Sequence, residues 1–190
     1  AEGCLRGRAG GPGDAAVLLG VLLQPPGAAT FGPADPRVLA SILWLCDWSA
    51  AAFPVNAGGA PAIGRGPGDR FFGGNPWLPT TLGMAEIHFA LAGDVLDRGG
   101  LARSPQAERF LARLGAVVDT GALARGLIGR GEAFLATVRR HAPGDGRLPE
   151  QIDRASGAPT SCPDLTWSHA ALLAALDARE AARRRLQAES

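Results

Sequence analysis

Three dipeptides, Asp35-Pro36, Asn75-Pro76 and Ser104-Pro105, each set a short capping side chain directly before a proline. Proline at the first helical position loses no hydrogen bond, and its fixed φ suits the helix, so each pair reads as a helix start. Helical periodicity follows each one. Val38/Leu39, Ile42/Leu43 and Leu45/Cys46 recur once per turn toward Ala52, and Pro54 ends the run. After Asn75-Pro76 two apolar stripes appear, Leu78, Leu82 and Phe89 on one and Thr81, Met84, His88, Leu91 and Val95 on the other. Apolar on two sides means buried on two sides, so an inner helix about 30 Å long is expected near residues 75–97. Ser104-Pro105 opens a shorter helix carrying Ala107, Phe110, Leu111 and Leu114.

Three further helices complete the pattern. Asp14 is expected to cap one from about Ala15 to Leu23, stopped by Pro25-Pro26. A Gly-interrupted helix carries Leu123, Leu127, Phe134, Leu135 and Val138, with Arg139-Arg140 suited to its C-terminal dipole. Asp164 is expected to cap the last, with Leu165, Leu172, Leu173 and Leu176 on one face before a polar tail. No alternating strand of useful length appears. The fold class is therefore all-α, with long loops at 24–35, 54–74 and 143–163. Loops of that length inside a compact domain are usually functional or disordered, and the polar groups and aromatics of the second and third favour function.

Composition narrows the function classes. The chain has 190 residues, 46% of them hydrophobic and 19% charged, which suits one globular unit. Nineteen basic residues, all Arg, stand against 18 acidic ones, so a net charge of +1 gives no argument for nucleic acid. No apolar run approaches the roughly 18–20 residues of a membrane span. Cys4, Cys46 and Cys162 lie far apart without a CxxC, and His88, His141 and His169 have no metal-ligand spacing, so neither a metal nor a cofactor is indicated. His88 reads as a core histidine and Glu86 as a structural ion-pair partner.

Two loops hold the candidate chemistry. The first, IGRGPGDRFFGGNPW from Ile63 to Trp77, sets Arg65, Asp69 and Phe71-Phe72 before a helix N-terminus. It reads either as a surface loop with Arg65 and Asp69 paired, or as a binding element. The second, LPEQIDRASGAPTSCPDLTW from Leu148 to Trp167, offers Glu150 and Asp153 as carboxylates for acid/base work, although such carboxylates are commonly solvated or capping.

Together, GRxPxDxxxxGNPW, a long helix, and PEQxDxxxGxxxxxxDLTWSxAALLxA resemble the glucoamylases of glycoside hydrolase family 15 over nearly the whole chain. The resemblance implies a partial (α/α)6 toroid, about six of twelve helices, with residues 1–190 as the C-terminal portion of one catalytic domain. It further implies exo-acting hydrolysis of α-1,4-glucosidic bonds in α-glucans or maltooligosaccharides, with inversion to β-glucose. Glu150 falls on the family's general base, while Arg65, Phe71 and Trp167 fall on substrate contacts. Asp69, Trp77, Gln151 and Ser161 fall in supporting positions, the Ser161 hydroxyl able to donate to the base. The general acid would lie upstream of residue 1, so the missing N-terminal half is the expected partner and the chain alone is expected to be inactive. A secreted or periplasmic location is implied by the resemblance alone.

The chain departs from the family at Gly66 and Gly68 (commonly Tyr and Glu), and at Ile152 and His169 (commonly Tyr). A trehalase- or glucodextranase-like specificity and a non-catalytic sugar-binding role are the competing readings. A partial toroid is also expected to leave the inner helix near 75–97 short of neighbours, exposing an apolar patch.

Overall fold

A computed structural model describes residues 3–7, 11–24, 31–115 and 119–189. Six helices account for most of them: α1 (Ala16–Leu22), α2 (Pro36–Ala52), α3 (Leu78–Arg98), α4 (Pro105–Leu114), α5 (Thr120–His141) and α6 (Thr166–Ala188). The expected stop at Pro25-Pro26 lies outside the described residues.

Helix starts follow their caps in three cases. Asp35 accepts from the Arg37 amide at 2.8 Å and Ser104 from the Ala107 amide at 3.0 Å. Asp119, which periodicity did not single out, accepts from Ala122 at 2.6 Å and opens α5. At the N-terminus of α1, Asp14 accepts from the Ala16 amide at 2.8 Å.

Two expected caps are corrected. Helix α3 begins at Leu78, because the backbone of Pro76 and Trp77 is drawn into extended bridges with Gly64 and Gln151. Asp164 makes no cap: its carboxylate accepts from the Leu148 amide at 3.1 Å and from His169 Nε2 at 2.7 Å, and Leu165 occupies the cap position. The expected polar tail is also helical. Arg183 of α6 donates to Glu132 of α5 at 2.8 Å, and Arg185 lies 3.3 Å from Asp97 of α3.

Helix α3 is the axis of the fold. It packs along α5 and α6, with α1 against a third side, and sixteen of its 21 residues are buried. The expectation that it lacks neighbours is therefore wrong, because elements of this same chain cover it. Ser168, Ala175 and Ala182, seven residues apart, are the buried positions of α6, and small side chains at two-turn spacing let two helix backbones approach closely. Leu91 and Phe89 are fully buried; truncating Leu91 to Ala would cost roughly 2–5 kcal/mol. The exposed large apolar side chains lie elsewhere, at Leu23, Phe71, Phe72, Trp167 and Leu173.

His88 is a core histidine. Its Nδ1–H donates to the Met84 carbonyl at 2.7 Å, the ring lies 5.3 Å from Phe134 and 6.3 Å from Phe110, and burial pushes its pKa down to about 4. Glu86, by contrast, makes no ion pair among the described residues. Burial pushes its carboxyl up to about 7.

The third long loop contains a small antiparallel hairpin, β1 (Gln151–Ile152) with β2 (Pro159–Thr160), which pairs Gln151 with Thr160 and Ile152 with Pro159. Two-residue strands are too short for an alternation pattern to reveal.

Candidate active site

The first loop closes on itself through Asp69. Oδ1 accepts from the Phe71 amide at 3.1 Å and Oδ2 from Trp77 Nε1 at 3.0 Å. Asp69 therefore holds the indole and does not pair with Arg65. Above the buried Trp77, Arg65 lays its guanidinium 5.2 Å from the ring centroid. Phe71 lies 5.5 Å from Trp77 on one side and Trp167 6.3 Å from it on another. Trp77 is the common neighbour of Arg65, Phe71 and Trp167, although Arg65 and Trp167 lie 102 residues apart in sequence.

The turn holding Phe71 is strained. Phe72 has φ 48° and ψ 34°, a left-handed conformation that costs an aromatic residue on the order of 1–3 kcal/mol. Gly74, at φ 70°, could carry no side chain, because a Cβ there would collide with the Asp69 carbonyl.

The second loop is fixed to the first by backbone. The Glu150 amide donates to the Cys162 carbonyl at 2.8 Å, and the Glu150 carbonyl accepts from Leu78 at the start of α3 at 3.0 Å. One residue earlier, Pro149 O accepts from the buried Ser168 hydroxyl at 2.9 Å. One residue later, Gln151 bridges Trp77. The base candidate thus sits between the hairpin and the N-termini of two packed helices. Its side chain meets Ser161, whose hydroxyl donates to Glu150 Oε2. Ser161 has φ 63°, and this left-handed backbone accompanies the approach of its hydroxyl to the carboxylate. Trp167 lies in the first turn of α6, 43% exposed.

A cleft of about 460 Å³ opens beside Arg65 and Asp69, with Gly13, Asp14, Gly66 and Gly68 among its lining residues. The lead-in to α1 forms its other wall, where the Ala15 amide donates to the Arg65 carbonyl at 2.8 Å. Sequence reading did not place residues 13–14 here, because their contact with 65–66 is non-local.

Three of the four departures have local physical reasons, and nothing in the structure explains the fourth, Gly68, where a Cβ would meet open space. A Cβ on Gly66 would lie 2.8 Å from the Gly13 carbonyl oxygen, so the α1 lead-in occupies the space a larger residue needs. Ile152 is buried with Leu78, Leu82, Val138 and Leu148, an apolar niche where a phenol would need a hydrogen-bond partner. His169 pairs with Asp164, whose carboxyl this bond holds below its usual range.

Asp153 does not join Glu150 as a second acid/base group. It accepts from the Ser156 amide at 2.7 Å, the Ser156 hydroxyl at 2.8 Å and the Ala155 amide at 3.1 Å, closing the hairpin turn. Those donors hold its carboxyl below the usual range, the Ser156 amide foremost. Asn75, read from the sequence only as a helix cap, is instead buried and bridges the two loops.

Residues 13–177 match the sequence profile of glycosyl hydrolases family 15. Glucoamylase 1 of Rhizopus oryzae is 30% identical over 190 residues, which cover 89% of this chain and 31% of that protein. A glucoamylase of Neurospora crassa is 34% identical over 160 residues, covering 77% of this chain and 25% of its own length. The solved family 15 glucoamylase from Hypocrea jecorina superposes with a TM-score of 0.84 at 26% identity, covering 94% of this chain and 34% of that one. The chain spans about a quarter to a third of the length of these relatives.

Proposed function

Because the chain belongs to glycosyl hydrolase family 15, we propose that it is the base-bearing part of an inverting, exo-acting glucan 1,4-α-glucosidase. Residues 1–190 are then the C-terminal portion of a single catalytic domain, and its N-terminal portion carries the general acid. Three of the relatives' names, those of R. oryzae, N. crassa and H. jecorina, support the glucan substrate, and coverage of a quarter to a third of their length fits a shared domain.

The observation that carries this reading is the position of Glu150. Its carboxylate accepts from Ser161, and its backbone is tied to the start of α3, next to the Trp77 cluster. Inverting hydrolysis needs a carboxylate that takes a proton from water, while an acid roughly 6.5–9.5 Å away protonates the leaving oxygen. In this reading Glu150 removes the water proton as oxygen attacks the anomeric carbon from the face opposite the leaving group, and β-glucose results. Arg65 orients adjacent sugar hydroxyls through its planar set of donors. Phe71 and Trp167 cover the pyranose ring and exclude bulk water, and Asp69 fixes Trp77 beneath them.

The test is proton NMR of maltose or maltotriose hydrolysis. In the full-length enzyme the β-anomer of glucose is expected first, with mutarotation following. The 190-residue chain alone is expected to release none. Initial α-glucose would overturn inversion; glucose release by the isolated chain would overturn the upstream acid; binding without hydrolysis by the full-length protein would favour a sugar-binding role.

A further inference from the structure

Asn75 spends its whole side-chain amide on joining the two loops. It is 4% exposed. Nδ2 donates to the Phe72 carbonyl at 2.7 Å and to Gln151 Oε1 at 3.2 Å, while Oδ1 accepts from the Arg154 amide at 3.1 Å. The first bond grips the left-handed residue that follows Phe71 in the strained turn. The other two grip the residues one and four positions after Glu150.

Several features make this more than generic burial. Nothing in the sequence requires the strained turn to face the hairpin, and Asn75 is hydrogen-bonded to both; the Arg154 side chain adds a longer link, its Nη1 donating to the Gly73 carbonyl at 3.5 Å. Gln151 is fully buried, and its Nε2 has no hydrogen-bond partner among the described residues, so its side chain is anchored by hydrogen bond through the oxygen that Asn75 holds. A buried amide in that state is oriented by its single partner. Arg154 continues the tie, donating to the Ala52 carbonyl at 2.8 Å with its guanidinium 5.3 Å over Phe53.

We propose that Asn75 is a positioning residue that sets the Phe71-Phe72 aromatic wall and the Glu150 segment in register through one amide. The inference rests on the reading of Glu150 as general base and assigns Asn75 no contact with substrate.

The two arms can be separated, because the amide of Gln151 can rotate. In Asn75→Asp one carboxylate oxygen still accepts from Arg154. Gln151 turns its unpartnered Nε2 toward the other, so the arm to the base segment survives. The Phe72 carbonyl then faces an oxygen in place of a donor, so the arm to the aromatic wall is lost. In Asn75→Ala both arms are lost.

The experiment is steady-state hydrolysis of maltose by the full-length enzyme carrying each variant, with kcat normalised to folded protein by circular dichroism. Asn75→Asp is expected to keep kcat within about threefold while KM rises roughly tenfold, the scale of one lost hydrogen bond. Asn75→Ala is expected to lose about 100-fold in kcat, the scale of a misplaced reacting group, with KM raised as well. A purely structural role would lower the folded fraction and leave KM unchanged. Unchanged KM in Asn75→Asp overturns the proposal even if Asn75→Ala fails to fold, and so does equal loss of kcat in both variants. Glu150→Gln, assayed in parallel, separates the two claims. If it stays active, the base assignment fails; if it is inactive and the Asn75 variants do not split, only the positioning role fails.

Discussion

Ser161 donates its hydroxyl to Oε2 of Glu150 beside a hairpin whose two strands are paired by backbone. A hydrogen bond to the ionised carboxylate favours that form over the acid. Ser161→Ala should therefore make the proton harder to lose and move the acidic limb of the kcat/KM profile to higher pH, because that limb reports the base in free enzyme. The basic limb, which the proposed mechanism assigns to the general acid, should stay in place. An acidic limb that does not move would assign the Ser161 hydroxyl to loop structure alone.

Glu150→Gln removes the proton acceptor and keeps the shape of the side chain. The expected loss is about 10²–10⁴-fold in kcat at every pH, with KM changed little, because water activation is lost and sugar contacts remain. A variant within tenfold of the parent would remove Glu150 from the mechanism.

Arg65→Lys keeps the charge and discards the planar donor array. The guanidinium stacks over Trp77, which an ammonium cannot imitate face to face. KM for maltose should rise roughly tenfold or more, the scale of one charge-assisted hydrogen bond, with a smaller change in kcat. A kcat loss at constant KM would instead place Arg65 in transition-state stabilisation.

Asp35-Pro36 and Ser104-Pro105 were legible as helix starts because their caps act locally, over two or three residues. Asn75-Pro76 carries the same signature and misleads. Its side chain bonds to Gln151 and Arg154, 76 and 79 residues away, and no local rule anticipates that. Asp164 fails as a cap for a similar reason, since Leu148 and His169 claim its carboxylate. The candidate site follows the same division. Glu150, Arg65 and Trp167 are candidates by spacing shared with a known family, and the structure gathers Arg65 and Trp167 about Trp77. The cleft wall at residues 13–14 and the niche that admits Ile152 depend on tertiary contacts, which periodicity does not encode.

Two titratable groups on α3, the buried His88 and the half-buried Glu86, should oppose each other in the pH dependence of stability. His88 is held to about 4 in the fold against 6.5 as its ordinary value. Between those values the unfolded chain binds more protons, so this stability is fully present above pH 6.5 and is lost as pH falls toward 4. The full loss is on the order of 3 kcal/mol. Glu86 runs the other way, at about 7 against 4.5. Between those values the folded chain binds more protons, so its contribution is present below pH 4.5 and is lost as pH rises through 7. Partial solvent access weakens the Glu86 effect, so the two cancel incompletely between pH 4.5 and 6.5. Glu86→Gln should remove the compensating slope. Its Tm should fall more steeply than the parent's from pH 6.5 to 4.5, with an excess loss of roughly 5 °C. His88→Leu should show the converse, a Tm that rises as pH falls from 7 to 4.5, offset by a constant packing penalty. Thermal unfolding of the three proteins across pH 4.5–7.5 is the measurement. Parallel curves for Glu86→Gln and the parent would mean that Glu86 is ionised in the fold and that its burial carries no titration cost.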